Sequence, residues 1–195
     1  MLIVSTGDEL VKVSEKPMPF QIRRSNVFTL ISLLERLNIE AKAEHITDNK
    51  EVLKQKIKQY LNEFDVLLFS GAVSKGKFDF LPEVLEELKV EKLFHKVKQR
   101  PGKPFWFGVL DPLGMSERNG KVTSQRKKTT VFAFPGNPVS TFIGCLKYFY
   151  PWYKKSAGID YENRNSAILS ENFTFKPDLT YFLQVNIENK SGVLY

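Results

Sequence analysis

The run Val66-Leu67-Leu68-Phe69 constrains what this chain can fold into more than any other stretch. Four consecutive large apolar residues with no alternation need cover on both faces, and for a strand that means the interior of a parallel sheet. A helical stripe precedes the run (Val52, Leu53, Ile57, Tyr60, Leu61, Phe64) and another follows it (Leu81, Val84, Leu85, Leu88). Between the run and the second stripe stands the segment from Ser70 to Asp79, with glycine at 71 and 76. Strand, glycine-bearing loop and helix in that order put the loop at the carboxyl end of a central strand, where open α/β sheets bind ligands.

The rest of the chain repeats the alternation of short apolar runs and helical stripes, so a parallel sheet wrapped by helices is expected. Leu2 to Val4 reads as a strand ending in the turn Ser5-Thr6-Gly7-Asp8-Glu9. Ser25 or Asn26 can cap a helix with Val27, Leu30, Ile31, Leu34 and Leu37 inward, and a second strand fits Ala41 to Ile46. Asp48 stands three residues before Glu51, the spacing of a capping box, and is expected to open the next helix. Lys92 to Lys98 alternates like a strand. Pro104–Leu110 and Thr129–Phe134 read as a hairpin around the long basic insertion from Asp111 to Lys128. Pro138 suits the first turn of a helix carrying Phe142, Ile143, Leu146, Phe149 and Tyr150. After Trp152 a linker-like stretch leads to Ile168–Phe175 and Thr180–Ile187, expected to be strands of a different, β-rich unit too small to close a sheet by itself. The expected organisation is a three-layer α/β domain over 1–155 and a partial β-rich domain over 156–195, from a longer polypeptide.

Charge narrows the function classes. Lys plus Arg exceed Asp plus Glu by 29 to 22, but the excess is local. Lys89, Lys92, Lys96, Lys98, Arg100 and Lys103 face only Glu91 in their stretch, and Arg118, Lys121, Arg126, Lys127 and Lys128 face only Glu117 in theirs. Patches on a near-neutral body suit a compact anionic ligand better than a nucleic-acid backbone. One cysteine, Cys145, excludes an internal disulfide framework and reads as packing. No apolar run is long enough to span a membrane, and a soluble, cytoplasmic protein is expected.

Three loops can meet anions. Ser70 to Gly76 exposes backbone N–H groups ahead of a helix, with Lys75 and Lys77 beside it; Arg100-Pro101-Gly102-Lys103 lies between strands; Pro135-Gly136-Asn137-Pro138-Val139-Ser140 precedes a helix. A plain tight turn explains Gly71 and Gly76 equally well. Asp8, Glu9, Asp48 and Asp79 fall at strand-to-helix transitions. Asp48 and Asp79 are either helix caps or, with the others, carboxylates able to hold Mg²⁺ against phosphate oxygens. His45 and His95 sit in strand patterns away from the glycine loops, which suggests structural roles.

Taken in order, Ser5-Thr6-Gly7-Asp8-Glu9-Leu10, Asp48, the Ser70–Asp79 loop, Pro101-Gly102-Lys103-Pro104 and Pro135–Ser140 resemble the molybdopterin molybdenumtransferases, the MoeA family related to the E domain of gephyrin. The resemblance implies molybdate insertion into adenylylated molybdopterin with release of AMP, dependent on Mg²⁺, by a homodimer with no nucleic-acid or membrane partner. It assigns Glu9, Asp48 and Asp79 to the metal and catalytic site. It gives Ser5, Thr6, Gly7, Ser70, Gly71, Val73, Ser74, Gly76, Lys96, Arg100, Lys103, Pro135, Gly136, Asn137, Pro138 and Ser140 to substrate binding. Ala72 stands where the family usually has a second glycine, Arg100 where it often has lysine, and Gln184 near a common arginine. The family's two N-terminal domains are absent from these residues, so binding with little or no turnover is expected of the chain alone. A non-catalytic scaffold and a MogA-like adenylyltransferase are the competing expectations.

Overall fold

The computed structural model describes residues 1–71, 73, 79–111, 128–159, 166–190 and 193–194. Its centre is a six-stranded sheet built from β1 (Leu2–Thr6), β4 (Lys42–Ile46), β5 (Val66–Ser70), β6 (Glu91–His95), β8 (Trp106–Leu110) and β9 (Thr129–Phe134), in the order β4-β1-β5-β9-β8-β6. β4, β1, β5 and β9 run parallel; β8 is antiparallel to both β9 and β6. Two short pairs lie outside it in the first half: β2 (Leu10–Val11) with β3 (Ile22–Arg23), and β7 (Gln99–Arg100) with a segment near the C-terminus.

Strand direction follows from burial. Every residue of β1, β5 and β9 is buried, so each needs a layer on both faces. Alternate side chains divide accordingly: Leu2, Val4, Leu67, Phe69, Val131 and Ala133 pack on one face, with α2 (Lys50–Glu63) and α3 (Leu81–Glu87) covering them. Ile3, Val66, Leu68, Phe132 and Phe134 pack on the other, under α1 (Asn26–Glu35) and the helical run of α4 (Pro138–Gly144), a π-helical turn (Cys145–Phe149) and α5 (Tyr150–Ser156). The α/β, mostly parallel, three-layer reading of the sequence is therefore what the chain builds. Thr129 seals the base of the sheet, with its hydroxyl near the carbonyls of Leu61 (3.0 Å) and Phe64 (2.9 Å) at the end of α2. Cys145 is buried, and that burial pushes its thiol up to about 12, so it packs rather than reacts.

Several local expectations change. Helix α2 is capped by Asn49, whose side chain accepts from the Val52 N–H at 3.0 Å, not by Asp48. The cap moves because the Asp48 carboxylate accepts the Asp8 backbone N–H instead. α3 begins after Phe80, so Asp79 is not its cap either. The strand expected over Lys92–Lys98 stops at His95, because Lys96 takes a left-handed φ of +67° and turns the chain. Val52 faces solvent, and the helix runs on to Ser156 where a linker was expected. Among the described residues, Ile168–Phe175 forms no strand, and of Thr180–Ile187 only β10 (Thr180–Tyr181) pairs, in parallel with β7. The apolar side chains Ile168, Leu169, Val185 and Ile187 are exposed: apolar, strand-like composition alone makes no strand without a partner strand to receive it. β11 (Asn189–Lys190) pairs with β12 (Val193–Leu194). The Asp111–Lys128 insertion lies outside the described residues except at its two ends.

The two helices on one face are joined by charge. Lys50 contacts Glu83 (2.7 Å) and Glu87 (2.8 Å), and Lys54 contacts Glu87 (2.6 Å). Hydrogen bonds from Lys50 and then Lys54 hold the Glu87 carboxyl at about 2, below its ordinary 4.5, and Lys50 is raised in turn. A folded-state value below the unfolded one means the pair stabilises above about pH 4.5 and stops doing so as pH falls through about 2. The groups face solvent, so the energy is small and screened by salt. In an NMR titration Glu87 is expected to show a midpoint near 2 that rises toward 4.5 in high salt and in the double variant Lys50→Met/Lys54→Met. An unchanged midpoint in that variant would remove the lysines as the cause.

Candidate functional site

Strand direction brings the candidate loops together. β1, β4, β5 and β9 are parallel, and β6, two antiparallel steps from β9, points the same way. Their carboxyl ends Thr6, Ile46, Ser70, His95 and Phe134 share one edge, and every quoted motif follows one of them. The chain steps from β1 to β4 on one side and to β5 on the other, so the crevice between β1 and β5 is a topological switch point, the usual ligand site of such sheets.

A cleft of about 100 Å³ opens there, lined by Ser5, Thr6 and Glu9 after β1, Ser70 and Gly71 after β5, Gly136 and Pro138 after β9, and Arg23 to Val27 at the start of α1. Its walls are joined by one amide. Asn26 Nδ2 donates to Ser70 Oγ (2.8 Å) and to the Gly136 carbonyl (2.8 Å), with Thr141 Oγ1 at 3.4 Å. Asn26 was expected only as a possible helix cap. Its position beside Ser25, directly ahead of the apolar stripe of α1, was the signal the sequence offered. Arg23 and Arg24 carried no signal, being outside both basic stretches.

Gly71 carries φ +101°, and its N–H donates to the Phe134 carbonyl (3.0 Å), so β5 and β9 stay tied past their ends. A Cβ there would stand 3.1 Å from Thr6 Oγ1. Gly7, at φ +129°, has the Glu9 carboxylate folded over it, 2.4 Å from where a Cβ would be. Both glycines are thus required by backbone sign, and Gly71 also by the tight approach of Thr6, whereas the Glu9 side chain could swing away from a Cβ at position 7. Val73 is buried, and its carbonyl lies 3.3 Å from His95 Nε2. Ser74 and Gly76, like Ala72, lie outside the described residues.

Both histidines stand at the loops, contrary to the sequence reading, because β4 and β6 end at the same edge as β1 and β5. His45 Nδ1 is 3.0 Å from Ser5 Oγ. Burial lowers the His45 pKa and the Arg24 charge lowers it further, against the raising effects of Ser5, Asp8 and Asp48. Asp8 and Asp48 are locked in a reciprocal pair: Asp8 N–H donates to Asp48 Oδ2 (3.2 Å) and Asp48 N–H donates to Asp8 Oδ1 (3.1 Å).

Cations occupy the far side of the edge. Lys96, Arg100 and Lys103 are exposed on the β6–β8 connection, where Lys96 N–H donates to the Phe105 carbonyl (2.8 Å) and Val97 N–H to the Lys103 carbonyl (2.9 Å). Buried Gln99 fixes this loop from within: its Nε2 donates to the carbonyls of Pro101 (3.0 Å) and Gly102 (3.3 Å), and its Oε1 accepts from the Tyr148 hydroxyl of the π-helical turn. Gly102, at φ +90°, lies against the Gln99 amide, where a Cβ would stand 2.9 Å from Nε2, and is in ordinary contact with Ser140. Asn137 caps α4 by accepting from Ser140 N–H (3.0 Å) and Ser140 Oγ (3.1 Å), and Pro135 is buried beneath that turn.

The expected Mg²⁺ triad is not assembled. Asp79 is half-buried ahead of α3, Glu9 lies over Gly7 at the cleft, and Asp48 is paired with Asp8. Among the described residues no three His, Cys, Asp or Glu side chains stand close enough to hold a metal ion. Asp8 and Asp48 each use one of their two carboxylate oxygens on the other's backbone N–H.

Fold and cleft together define a doubly wound α/β domain with glycine-bearing and cationic loops at the carboxyl edge of its sheet. Residues 2–155 match the model of the probable molybdopterin binding domain family, MoCF_biosynth, and the chain belongs to that family. It is 41% identical over 188 residues to a molybdopterin molybdenumtransferase of Synechocystis sp., covering 96% of this chain and 42% of the relative. It is 38% identical over 152 residues to the enzyme of that name from Synechococcus elongatus, covering 76% and 34%. The chain thus spans about two fifths of the first relative's length. A molybdopterin biosynthesis MoeA protein from Pyrococcus horikosii superposes with a TM-score of 0.62 at 30% identity over 80% of this chain and 35% of that one. A tungsten cofactor synthesizing protein MoaB from Pyrococcus furiosus, 14% identical, shares the fold with a TM-score of 0.52, covering 80% of this chain and 94% of that one.

Removing the Asn26 amide leaves buried Ser70 Oγ and the Gly136 carbonyl without their donor. Asn26→Ala is therefore expected to cost about 1–3 kcal/mol in urea unfolding, more than Asn49→Ala at the exposed α2 cap, expected to cost about 1 kcal/mol. Equal costs would show that Asn26 does no more than an ordinary cap.

Proposed function

We propose that this chain supplies the molybdopterin-binding domain of a molybdopterin molybdenumtransferase, which inserts molybdate into adenylylated molybdopterin and releases AMP. The observation that carries the reading is the convergence of the Ser5–Glu9, Asp48, Ser70–Val73, Lys96–Lys103 and Pro135–Ser140 segments on one edge of the sheet. That edge offers backbone N–H groups and hydroxyls near β1, β5 and β9 and cations near β6. Such an arrangement suits a ligand carrying several anionic groups with a polar ring between them.

In this reading Ser5, Thr6, Gly7, Ser70, Gly71, Val73, Ser74, Gly76 and the Pro135–Ser140 turn bind the pterin and its phosphate. Lys96, Arg100 and Lys103 meet oxyanion charge, held in place by Gln99, and Glu9, Asp48 and Asp79 supply the carboxylates of the reaction. Magnesium enters no step derived from these residues, since they do not stand as a metal cage. Residues 1–155 form the binding domain and 156–195 part of a further unit; the family match over 2–155 supports that division. A cytoplasmic homodimer belongs to the same proposal, supported by a lone buried thiol and by exposed Met18, Phe20 and Ile22 on the β2–β3 excursion.

The chain is expected to bind molybdopterin in a fluorescence titration, and Arg100→Ala/Lys103→Ala to weaken that binding by roughly tenfold or more. Absence of binding by the unaltered chain would overturn the reading. In a full-length relative-like context, the equivalent of Asp79→Asn is expected to abolish molybdate-dependent AMP release while leaving molybdopterin binding in place; unchanged release would exclude Asp79 from the chemistry.

A further inference from the structure

The last residue of β6 meets a loop that begins three strands away. In the order β5-β9-β8-β6 the chain leaving Ser70 has to cross the ends of β9 and β8 to reach β6. It does so by Val73, whose carbonyl lies 3.3 Å from His95 Nε2. A carbonyl only accepts, so that nitrogen carries the hydrogen, and the neutral ring is held as its Nε2–H tautomer. His95 is half-buried and does not line the cleft between β1 and β5.

Both partners of this hydrogen bond are themselves fixed. The Val73 side chain is 1% exposed, in the core cluster that holds Trp106, Leu81 and Leu85, and Trp106 is the residue paired with His95 in the β6–β8 register. Two residues earlier, the Gly71 N–H donates to the Phe134 carbonyl at 3.0 Å. The loop is thus pinned to β9 at residue 71 and to the core and β6 at residue 73. On the other side, Lys96 follows His95 directly at φ +67°, a left-handed value that a lysine keeps only where its surroundings dictate it. The Lys96 N–H donates to the Phe105 carbonyl at 2.8 Å. His95 therefore stands between the turn that aims Lys96 and the loop that follows β5.

We propose that His95 is a positioning residue that joins the two halves of the edge. Through the Val73 carbonyl it holds the loop after β5, and through the backbone it shares with Lys96 it sets where the cationic turn leaves the sheet. A ligand that grips one half then finds the other in place, which lowers the ordering cost of binding. The effect on molybdopterin rests on the proposed function; the tie between Val73 and His95 does not.

Two variants of the intact chain separate the hydrogen bond from the space the ring fills. His95→Phe keeps a flat ring and removes the donor, whereas His95→Gln returns a side-chain N–H. His95→Phe is expected to speed amide hydrogen exchange at Gly71 and Lys96 by roughly two- to tenfold and to weaken molybdopterin binding in a fluorescence titration by a similar factor. The amides of Leu67 and Phe132, inside the sheet, are expected to keep their rates, and His95→Gln to recover both exchange and binding. Unchanged exchange at Gly71 and Lys96 in His95→Phe would overturn the proposal. So would faster exchange throughout the sheet, or no recovery in His95→Gln, since His95 would then serve the fold alone. If exchange responds as expected and molybdopterin binds neither the unaltered chain nor the variants, the proposed function fails and the tie stands. If exchange responds and molybdopterin binds the unaltered chain and His95→Phe equally, the function survives and the positioning role falls.

Discussion

The parallel pairing of β1 with β5 sets the rest of the molecule. In its register Ser5 lies opposite Ser70, so the two strands end side by side with a hydroxyl on each. Because the neighbours of both are also parallel, the turns that follow them leave from one edge. Complete burial of both strands then demands helices on both faces, and those helices must return the chain to the opposite edge before each new strand. The loops with chemistry and the loops that merely reconnect are separated by that geometry. A register slip between β1 and β5 would reverse which side chains enter each half of the core, which is why so short a pairing is so well specified.

The edge itself is held by a few polar contacts of high leverage. One amide, Asn26, ties the start of α1 to the loops after β5 and β9, and one buried side chain, Gln99, holds the basic loop from beneath. Both satisfy carbonyls that turns leave unpaired, while the cations Lys96, Arg100 and Lys103 stay exposed. Rigid support for a site that must meet a charged ligand lowers the ordering cost of binding.

The sheet was legible in the sequence wherever burial imposed a pattern: β1, β5, β9, the β8–β9 hairpin and the helices between them follow from unbroken or periodic apolar runs. Features set by a contact distant in sequence were not. Asp48 and Glu51 have the spacing of a capping box, yet Asn49 caps α2 because Asp8, forty residues away, receives Asp48. His45 and His95 look remote from the glycine loops along the chain and adjoin them in space, since strand order is not sequence order. Ile168–Phe175 looks like a strand in sequence and forms none, its tie to the β11–β12 pair being the Ile168 N–H that donates to the Leu194 carbonyl. The motif segments of the site were visible as short words; Arg23, Arg24 and Asn26, which line the cleft, form no such word.

The pairing of β7 with β10 bears on how the basic loop behaves. Thr180 and Phe182 donate their N–H groups to the carbonyls of Lys98 and Arg100, at 2.8 and 2.9 Å, and Lys98 meets Asp178 at 2.9 Å. Gln99, the middle residue of that stretch, turns its side chain into the core, where it accepts from the Tyr148 hydroxyl and donates to the carbonyls of Pro101 and Gly102. Lys98 to Arg100 is therefore anchored inward through its own Gln99 and outward by a segment about eighty residues downstream. The aim of the Arg100 guanidinium is in consequence a shared property of two distant parts of the chain: displacement of residues 178–182 would be felt as a change of charge placement at the sheet edge, with no change at all in the sheet.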